Sequence, residues 1–202
     1  MINILKEDKF LEIANTIENC RFIEIGAHNG KELDPLYQII NENKWKGILV
    51  EPDDDNFKQL KNNYIDNKDV IFENICISDY DGKIDFYKAP TTLHHSVEEA
   101  YMNRMFKGRE TIIQKECLKL SSILEKYNFE YVDVINVDTE GHDYTILRDF
   151  PFDKYQPKIV RYETVHLTKE KNEKLKEILE RHNYEIFTSE SKTDKIAIKN
   201  IL

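Results

Sequence analysis

The stretch Phe22-Ile23-Glu24-Ile25-Gly26-Ala27-His28-Asn29-Gly30 decides the fold of this 202-residue chain. It begins as a short apolar strand and passes directly into a turn that contains two glycines. Residues 32–42 then repeat apolar side chains at helical spacing. Gly26 can adopt backbone angles that a Cβ forbids, and it lets a ligand approach the main chain. We expect a helix to begin near Glu32 and to present free N–H groups at its start.

A second predicted strand, residues 47–50, ends at Glu51, about 20 residues beyond the glycine turn. Strand, glycine turn, helix, strand and terminal acid form the nucleotide site of a doubly wound sheet, in which the acid binds ribose hydroxyls. Acids at residues 53–55 favour the start of the next helix, because they stabilise a helix N-terminus. The sequence therefore predicts an α/β fold with a nucleotide-like ligand at this edge.

The glycine spacing separates two classes of ligand. Gly26 and Gly30 lack the G-x-G-x-x-G spacing of dinucleotide sites, and Glu24 would repel a pyrophosphate. S-adenosylmethionine has no phosphate and carries an ammonium, a carboxylate and a sulfonium, so it suits this turn better than NAD. Two alternatives stay open: an NAD-dependent oxidoreductase, and a cofactor-binding module without enzymatic activity.

Composition limits the classes of partner. A net charge of −9 argues against a nucleic-acid surface and against docking on an anionic membrane. No apolar run is long enough to span a bilayer, and the first eight residues lack the layout of a signal peptide. Cys20, Cys76 and Cys117 are far apart and fit no zinc spacing, which indicates buried thiols in a reducing cytoplasm. The length favours one domain, residues 1–202, with an N-terminal cap helix within residues 1–19.

Further along the chain, a third strand is predicted from Val70 to about Ile77, followed by an Asp81-Gly82 hairpin turn and a strand over residues 83–88. Residues 89–116 form a long polar insertion, and such insertions are usually functional or disordered. We predict a substrate lid here, with His94 and His95 as acceptor contacts; a solvated loop is the alternative.

Acidic side chains collect at the predicted carboxyl ends of strands. Glu24, Glu51, Asp138 and Glu163 each end a strand, and Glu140 and His142 follow one closely. Ligands in open α/β sheets bind at this edge, so these residues are expected to lie near one another. A closing antiparallel pair is predicted over residues 185–188 and 195–199.

The segment Asp138-Thr139-Glu140-Gly141-His142-Asp143-Tyr144-Thr145-Ile146-Leu147 resembles the D-x-E-G-x-E/D-x-x-x-L signature of FkbM-type methyltransferases. The strand before it, Val132-Asp133-Val134-Ile135, also resembles the family, with Asn136 where lysine is common. Glu24-x-Gly26-Ala27-x-x-Gly30 and Val50-Glu51-Pro52 resemble its cofactor motifs, and Asn74-Ile75-Cys76-Ile77-Ser78-Asp79 resembles a further segment. The resemblance covers roughly residues 20–200.

This resemblance implies a class I, Rossmann-like methyltransferase: a doubly wound, mostly parallel seven-stranded sheet with an antiparallel C-terminal strand. It implies an S-adenosylmethionine-dependent O-methyltransferase acting on a hydroxyl of a sugar, glycan or secondary metabolite. Eleven residues are then expected at the cofactor: Glu24, Gly26, Ala27, His28, Asn29, Gly30, Glu51, Pro52, Asn74, Ile75 and Asp138.

Methyl transfer to a hydroxyl needs a base, because the hydroxyl is a poor nucleophile until it loses its proton. A positioned base typically contributes about 10²–10⁴-fold. The candidates are Asp138, Glu140, His142 and Glu163, whereas His166 is expected to be structural or to lie at the rim. The same acids could bind Mg²⁺; the sequence alone predicts no metal site.

Overall fold

The computed structural model describes residues 3–200, so the first two and last two residues of the predicted 1–202 domain lie outside the described residues. The strands follow in chain order. They are β1 (Ile4–Leu5), β2 (Arg21–Ile25), β3 (Lys46–Val50), β4 (Val70–Glu73), β5 (Cys76–Ser78), β6 (Gly82–Lys88), β7 (Thr111–Lys119), β8 (Val134–Val137), β9 (Ile159–Glu163), β10 (Tyr184–Ser189) and β11 (Asp194–Lys199).

The helices lie between some of these strands along the chain. They are α1 (Glu7–Asn15), α2 (Tyr37–Glu42), α3 (Asp54–Asn63), α4 (Glu99–Phe106), α5 (Leu120–Lys126), α6 (Asp143–Leu147), α7 (Phe152–Tyr155) and α8 (Lys169–Arg181). Within residues 3–200, none of them has the length and apolar character that crossing a bilayer requires.

The main sheet has the strand order β1-β10-β11-β9-β8-β2-β3-β4. Strand β11 is antiparallel to both of its neighbours, and the other pairings are parallel. The predicted fold class is confirmed: seven strands form the doubly wound sheet, and the two-residue β1 extends it at one edge. The predicted antiparallel pair near the C-terminus is β10 and β11.

Helices cover both faces of the main sheet because its strands bury side chains on both sides. In β2, Phe22 packs with Phe10, Leu36 and other residues of the α1–α3 face, whereas Ile23 packs with Ile123 and other residues of the opposite face. Successive strand residues point to opposite faces, so apolar side chains in unbroken runs produce two cores. Glu24 and Asn136 interrupt these runs where the strands end, which marks a polar site.

The predicted strand from Val70 to Ile77 is wrong as a single element. It breaks at Asn74, whose side-chain amide donates to the backbone carbonyls of Glu51 and Pro52. Strand β4 lies before the break in the main sheet, whereas β5 lies after it in a separate three-stranded sheet of order β5-β7-β6.

The predicted hairpin at Asp81-Gly82 is also wrong. Strand β7 lies between β5 and β6, so Cys117 has Cys76 opposite it on one side and Gly82 on the other. The turn therefore carries the chain across β7 rather than folding it back on itself. The last residues of the predicted 89–116 insertion belong to β7, and α4 lies within the same insertion.

The helix expected near Glu32 begins five residues later, at Tyr37, because Pro35 disfavours helical angles at Asp34. A bend replaces the first predicted turn, and Oδ1 of Asp34 accepts the Leu36 N–H at 2.7 Å. The acids at the start of α3 behave as predicted: Oδ1 of Asp53 accepts two N–H groups of the first helical turn.

Candidate active site

A cavity of about 230 Å³ opens at the carboxyl ends of β2, β3 and β8. It brings together most residues that the sequence analysis placed at a ligand. Those lining it are Glu24, Gly26, Ala27, His28, Glu51, Pro52, Ile75, His94, His95, Asp138, Glu140 and His142. Four predicted residues lie outside this lining: Asn29, Gly30, Asn74 and Glu163.

Gly26 is required by the approach of two backbone segments. Its φ is +79°, and a Cβ there would lie 1.8 Å from the carbonyl oxygen of Asp138. The close approach that demands a glycine is thus made by the loop after β8. At Gly30, with φ +66°, a Cβ would lie 2.2 Å from Leu60 on α3. Gly30 therefore lets the turn pack against α3, and its predicted contact with the cofactor stays a prediction.

Asn29 and Asn74 hold the backbone around the cavity. Oδ1 of Asn29 accepts the N–H groups of Lys31 and Glu32 at 3.1 and 2.9 Å. Asn74 bonds the carbonyls that follow β3, and its Oδ1 accepts from Lys115 at 2.9 Å. Both side chains form hydrogen bonds to protein groups. Their predicted contact with the cofactor stays a prediction.

Glu24 carries the clearest unmet hydrogen-bonding capacity in the cavity. Its side chain is 3% exposed, and Oε1 accepts from Asn136 at 2.8 Å. Oε2 is buried and has no partner among residues 3–200. Burial, with the nearby Asp34 carboxyl, raises the pKa of Glu24 well above its usual range. Burial also raises the pKa of Asp34. Two carboxyls at the cavity wall form a site suited to a cationic group.

Glu51 lies at the end of β3, where the sequence predicts contact with ribose. Oε2 accepts the His28 N–H at 2.8 Å, and Oε1 accepts the Asp53 N–H at 2.7 Å. Burial raises its pKa to about 8, against the lowering effect of these hydrogen bonds. Each carboxylate oxygen has two lone pairs, so both can still accept a hydroxyl. The backbone thus holds the carboxyl in a fixed orientation toward the cavity.

The loop of residues 89–98, which we call the lid loop, is bonded to the wall of the cavity. The carbonyl of Thr92 lies 3.1 Å from Nε2 of His28 and 3.0 Å from Nδ2 of Asn56. Nδ1 of His95 accepts the Ala89 N–H at 2.9 Å, so that ring stabilises the loop itself. These contacts place the lid loop over the ends of β2 and β3.

His94 connects the lid loop to a group of polar side chains at the edge of the cavity. We call Glu140, Glu163, His166, His94 and Tyr101 the Glu140 cluster. Oε1 of Glu140 lies 3.0 Å from Nδ1 of His94, and Oε2 lies 3.1 Å from Nε2 of His166. Tyr101 on α4 donates to Oε2 at 2.6 Å. Glu140 therefore joins the cavity wall to α4 and to the loop after β9.

Several of these residues have unusual backbone angles. His28, His94 and Glu140 have φ values of +48°, +67° and +55°. Non-glycine residues in this region cost roughly 1–3 kcal/mol each, and they persist only where the surroundings hold them. At these three positions beside the cavity, the surrounding contacts hold the backbone in this conformation.

Asp138 faces the cavity and is reached by solvent. The surrounding protein atoms, with the charges of Glu140 and Asp194, raise its pKa to about 7, and Arg161 opposes this rise. Strands β8 and β9 are adjacent and parallel, as the class I order requires. Asp138 and Glu163 thus end neighbouring strands, and burial raises the pKa of Glu163 to about 10.

His142 is fixed by two protein contacts. Its Nδ1 lies 2.6 Å from Oε1 of Glu98, and its Nε2 lies 3.0 Å from Oγ of Ser78. With both ring nitrogens engaged, His142 has no free nitrogen in this arrangement for the proton of an acceptor. The neighbouring Asp143 is fully buried and accepts from Thr139 and from the Glu163 backbone. These two residues hold the loop after β8 in place.

Sequence reasoning missed Asp34, Asn56, Tyr101 and Arg161. Arg161 lines the cavity and pairs with Asp194 at 2.6 Å. Its place in the third position of a strand that ends in Glu163 was the available signal. Asp34, Asn56 and Tyr101 reach the site from helical or loop segments whose pattern is that of ordinary surface and core residues.

A sequence profile of the methyltransferase FkbM domain matches residues 24–186. The chain belongs to the FkbM methyltransferase family. This match includes the glycine turn, Glu51, the loop after β8 and Glu163, and it confirms the resemblance drawn from the motifs. No curated protein sequence matches this FkbM-family chain.

Solved structures share the fold of this FkbM-family chain. The methyltransferase FkbM from Methylobacillus flagellatus KT aligns with a TM-score of 0.59 and 14% identity, over 90% of this chain and 44% of that chain. The METTL16 methyltransferase domain gives 0.53 and 14%, over 97% and 65%. The human METTL16 N-terminal domain in complex with SAH gives 0.50 and 14%, over 97% and 70%. This chain spans less than two thirds of the first two proteins, and identities this low show the fold alone.

Proposed function

We propose that this protein is an S-adenosylmethionine-dependent O-methyltransferase whose acceptor is a hydroxyl of a sugar, glycan or secondary metabolite. One observation carries the proposal. A single cavity joins two carboxyls suited to a cation, Glu24 and Asp34, to a carboxyl with a pKa of about 7, Asp138. Glu24 and Asp34 suit the ammonium of the cofactor, and Asp138 suits the role of a base near neutral pH.

The residues around the cavity fit the cofactor in three respects. The unpartnered Oε2 of Glu24 can accept from an ammonium, and Glu51 can accept ribose hydroxyls on its remaining lone pairs. Pro52 and Ile75 provide apolar wall beside Glu51, where an adenine would need it. When bound, S-adenosylmethionine supplies a methyl group on a positively charged sulfur.

The remaining steps belong to the chain. Asp138 accepts the acceptor proton, because its carboxylate form is well populated near neutral pH and it faces the cavity. Glu140 and Glu163 lie on the side of the site that receives the acceptor. His142 positions the loop after β8 through Glu98 and Ser78. The lid loop closes over the cavity, with His94 toward the acceptor, and excludes water.

The charge supports a small acceptor. A net charge of −9 disfavours binding to nucleic acid, whose phosphates need clustered lysine and arginine. The proposed cytoplasmic location depends on three buried free thiols, Cys20, Cys76 and Cys117.

Ligand-dependent melting and label transfer test this proposal. SAM or SAH should stabilise the protein by about 2.7 kcal/mol at 100 times Kd, and NAD should not. Methyl-labelled cofactor should then transfer label to hydroxyl compounds in a panel of glycans and metabolites. A shift with NAD and none with SAM or SAH would favour the oxidoreductase. Label that moves to RNA instead of hydroxyl compounds would refute the acceptor class, and cofactor binding without transfer to any panel member would favour the non-enzymatic module.

A further inference from the structure

Two carboxylates and one imidazole bring metal-ligand atoms together beside the cavity. The carboxylates of Glu140 and Glu163 and the imidazole of His166 each offer one atom, and these atoms all lie within 4.8 Å of one another. Nε2 of His166 is 3.1 Å from Oε2 of Glu140 and 3.6 Å from Oε1 of Glu163. Glu140 lies in the loop after β8, Glu163 ends β9 and His166 follows it, so the adjacency of these two strands brings the group together.

An unused buried oxygen points to a missing partner in this group. Oε2 of Glu163 is buried and has no hydrogen-bond partner among the described residues 3–200. The Glu163 side chain is 11% exposed, so water does not readily replace that partner. Asp138, Asp143 and Asp194 add further negative charge around it. A buried carboxyl group with an unmet oxygen and acidic neighbours needs either a proton or a nearby cation.

A second layer of side chains holds Glu140 in position. Tyr101 donates to Oε2 at 2.6 Å, and Nδ1 of His94 lies 3.0 Å from Oε1. Carboxylates that bind metals are themselves hydrogen-bonded in this way, and such partners orient the ligand. The left-handed φ of Glu140, +55°, turns its side chain from the loop toward these partners.

We propose that Glu140, Glu163 and His166 bind one divalent first-row transition ion. Two carboxylates and one imidazole suit Mn²⁺, which accepts oxygen ligands and also nitrogen, and they suit Zn²⁺ as the alternative ion. Three protein ligands leave open positions on an octahedral ion. The sequence alone predicts no metal site, because acids at strand ends suit a catalytic base as well as a metal ion.

The ion would act on the acceptor. Glu140 lines the cavity, so an ion bound to it is reached by a hydroxyl that enters there. A bound divalent ion orients a hydroxyl and lowers its pKa. The proton then passes to the Asp138 carboxylate as the oxygen becomes the nucleophile. This role rests on the proposed function, whereas binding of the ion does not.

Titration of Mn²⁺ into the full chain tests the site, with free Mn²⁺ followed by its electron paramagnetic resonance signal. We expect one ion per chain, displaced by Zn²⁺, with paramagnetic broadening of the His94 and His166 ring resonances. Glu163→Gln and His166→Ala should each weaken binding by at least about tenfold. Glu170→Gln on α8 makes the same charge change on a side chain that is 76% exposed, and it should leave binding unchanged.

Melting and SAH affinity are measured for every variant, so a folding defect is recognised. If Glu163→Gln does not fold, Glu140→Gln and His166→Ala provide the comparison. No Mn²⁺ or Zn²⁺ binding at millimolar metal would overturn the proposal, as would equal binding by the wild type and all folded variants. Either result would leave a hydrogen-bond network as the role of the Glu140 cluster. If the metal site fails and the wild type still binds SAH, the proposed function stands. If the wild type binds Mn²⁺ but not SAH, the metal site stands and the proposed function fails.

Discussion

The side-chain amide of Asn136 donates a 2.8 Å hydrogen bond to Oε1 of Glu24, which lies directly opposite it on the neighbouring strand β2. The bond fixes a carboxyl whose other oxygen has no partner among residues 3–200. Burial raises the pKa of that carboxyl well above its usual range, which favours its protonated form in the free protein. An ammonium group favours the ionised form, so we expect such a ligand to displace the proton.

We therefore predict that SAH binding near neutral pH releases up to about one proton, and that affinity rises with pH. Glu24→Gln should abolish this contribution and weaken binding by about tenfold or more, since hydrogen bonds to a charged group contribute roughly 1.5–3 kcal/mol. Calorimetry in buffers of different ionisation enthalpy measures the proton count. An identical count in Glu24→Gln would show that another group releases the proton.

Removal of the Glu51 carboxyl should affect both the ligand and the scaffold. Glu51→Ala is expected to weaken SAH binding by about tenfold or more through the lost ribose hydrogen bonds. It should also destabilise the protein, because the N–H groups of His28 and Asp53 lose their acceptor. Glu73→Gln is a matched control: Glu73 ends the adjacent strand β4, is buried, and lies outside the cavity lining. Equal SAH affinity in folded Glu51→Ala and in the wild type would contradict the assignment.

Asp138 and His142 should differ in how they affect turnover. As the proposed base, Asp138 must lose its proton, so kcat/KM should rise with pH through about 7. Asp138→Asn should cut turnover by about 10²-fold or more and flatten that profile. His142→Ala should lower turnover but keep the profile, because it acts through the loop. A profile unchanged in Asp138→Asn would exclude Asp138 as the base.

Buried carboxyls should make the free protein less stable as pH rises from about 6.5 to 8. Burial raises the pKa of Glu51 and Asp143 to about 8. In this window the folded state binds more protons than the unfolded state, so the unfolding free energy falls with rising pH. Each group contributes at most about 1.4 kcal/mol per pH unit.

The lowered pKa values of the buried His95 and His166 oppose this trend only below about pH 6.5. Urea unfolding across the window measures the slope, and Asp143→Asn should make it shallower. A slope of the opposite sign in the wild type would show that these carboxyls are ionised in the folded protein.

The sequence was sufficient to predict the acidic edge of the sheet, because the end of a strand is visible in the local sequence pattern. Glu24, Glu51, Asp138 and Glu163 each follow an apolar run, and parallel strands bring such ends to one edge. Contacts between distant segments were not predictable in this way. The Asp81-Gly82 signal was outweighed by the pairing of both neighbouring strands with β7, a pairing that local turn chemistry does not encode.

The site residues show the same limit: local sequence patterns do not predict contacts between distant segments. Pro35 moves the start of α2 and lets Asp34 reach Glu24, an effect of one residue on a helical pattern that otherwise looked continuous. Tyr101 meets Glu140 only because α4 packs over the loop after β8, and 39 residues separate the two in sequence. The helical spacing around Tyr101 indicates a core face, so its hydroxyl contact was not expected.

The lid loop touches both halves of the site through residues only two positions apart: Thr92 bonds to His28 and Asn56 on the proposed cofactor side, and His94 contacts Glu140. A substitution that reshapes this segment for a different acceptor will therefore also change how long the spent cofactor is retained. We expect acceptor choice and catalytic rate to change together in descendants of this chain, because a change in the lid loop affects both.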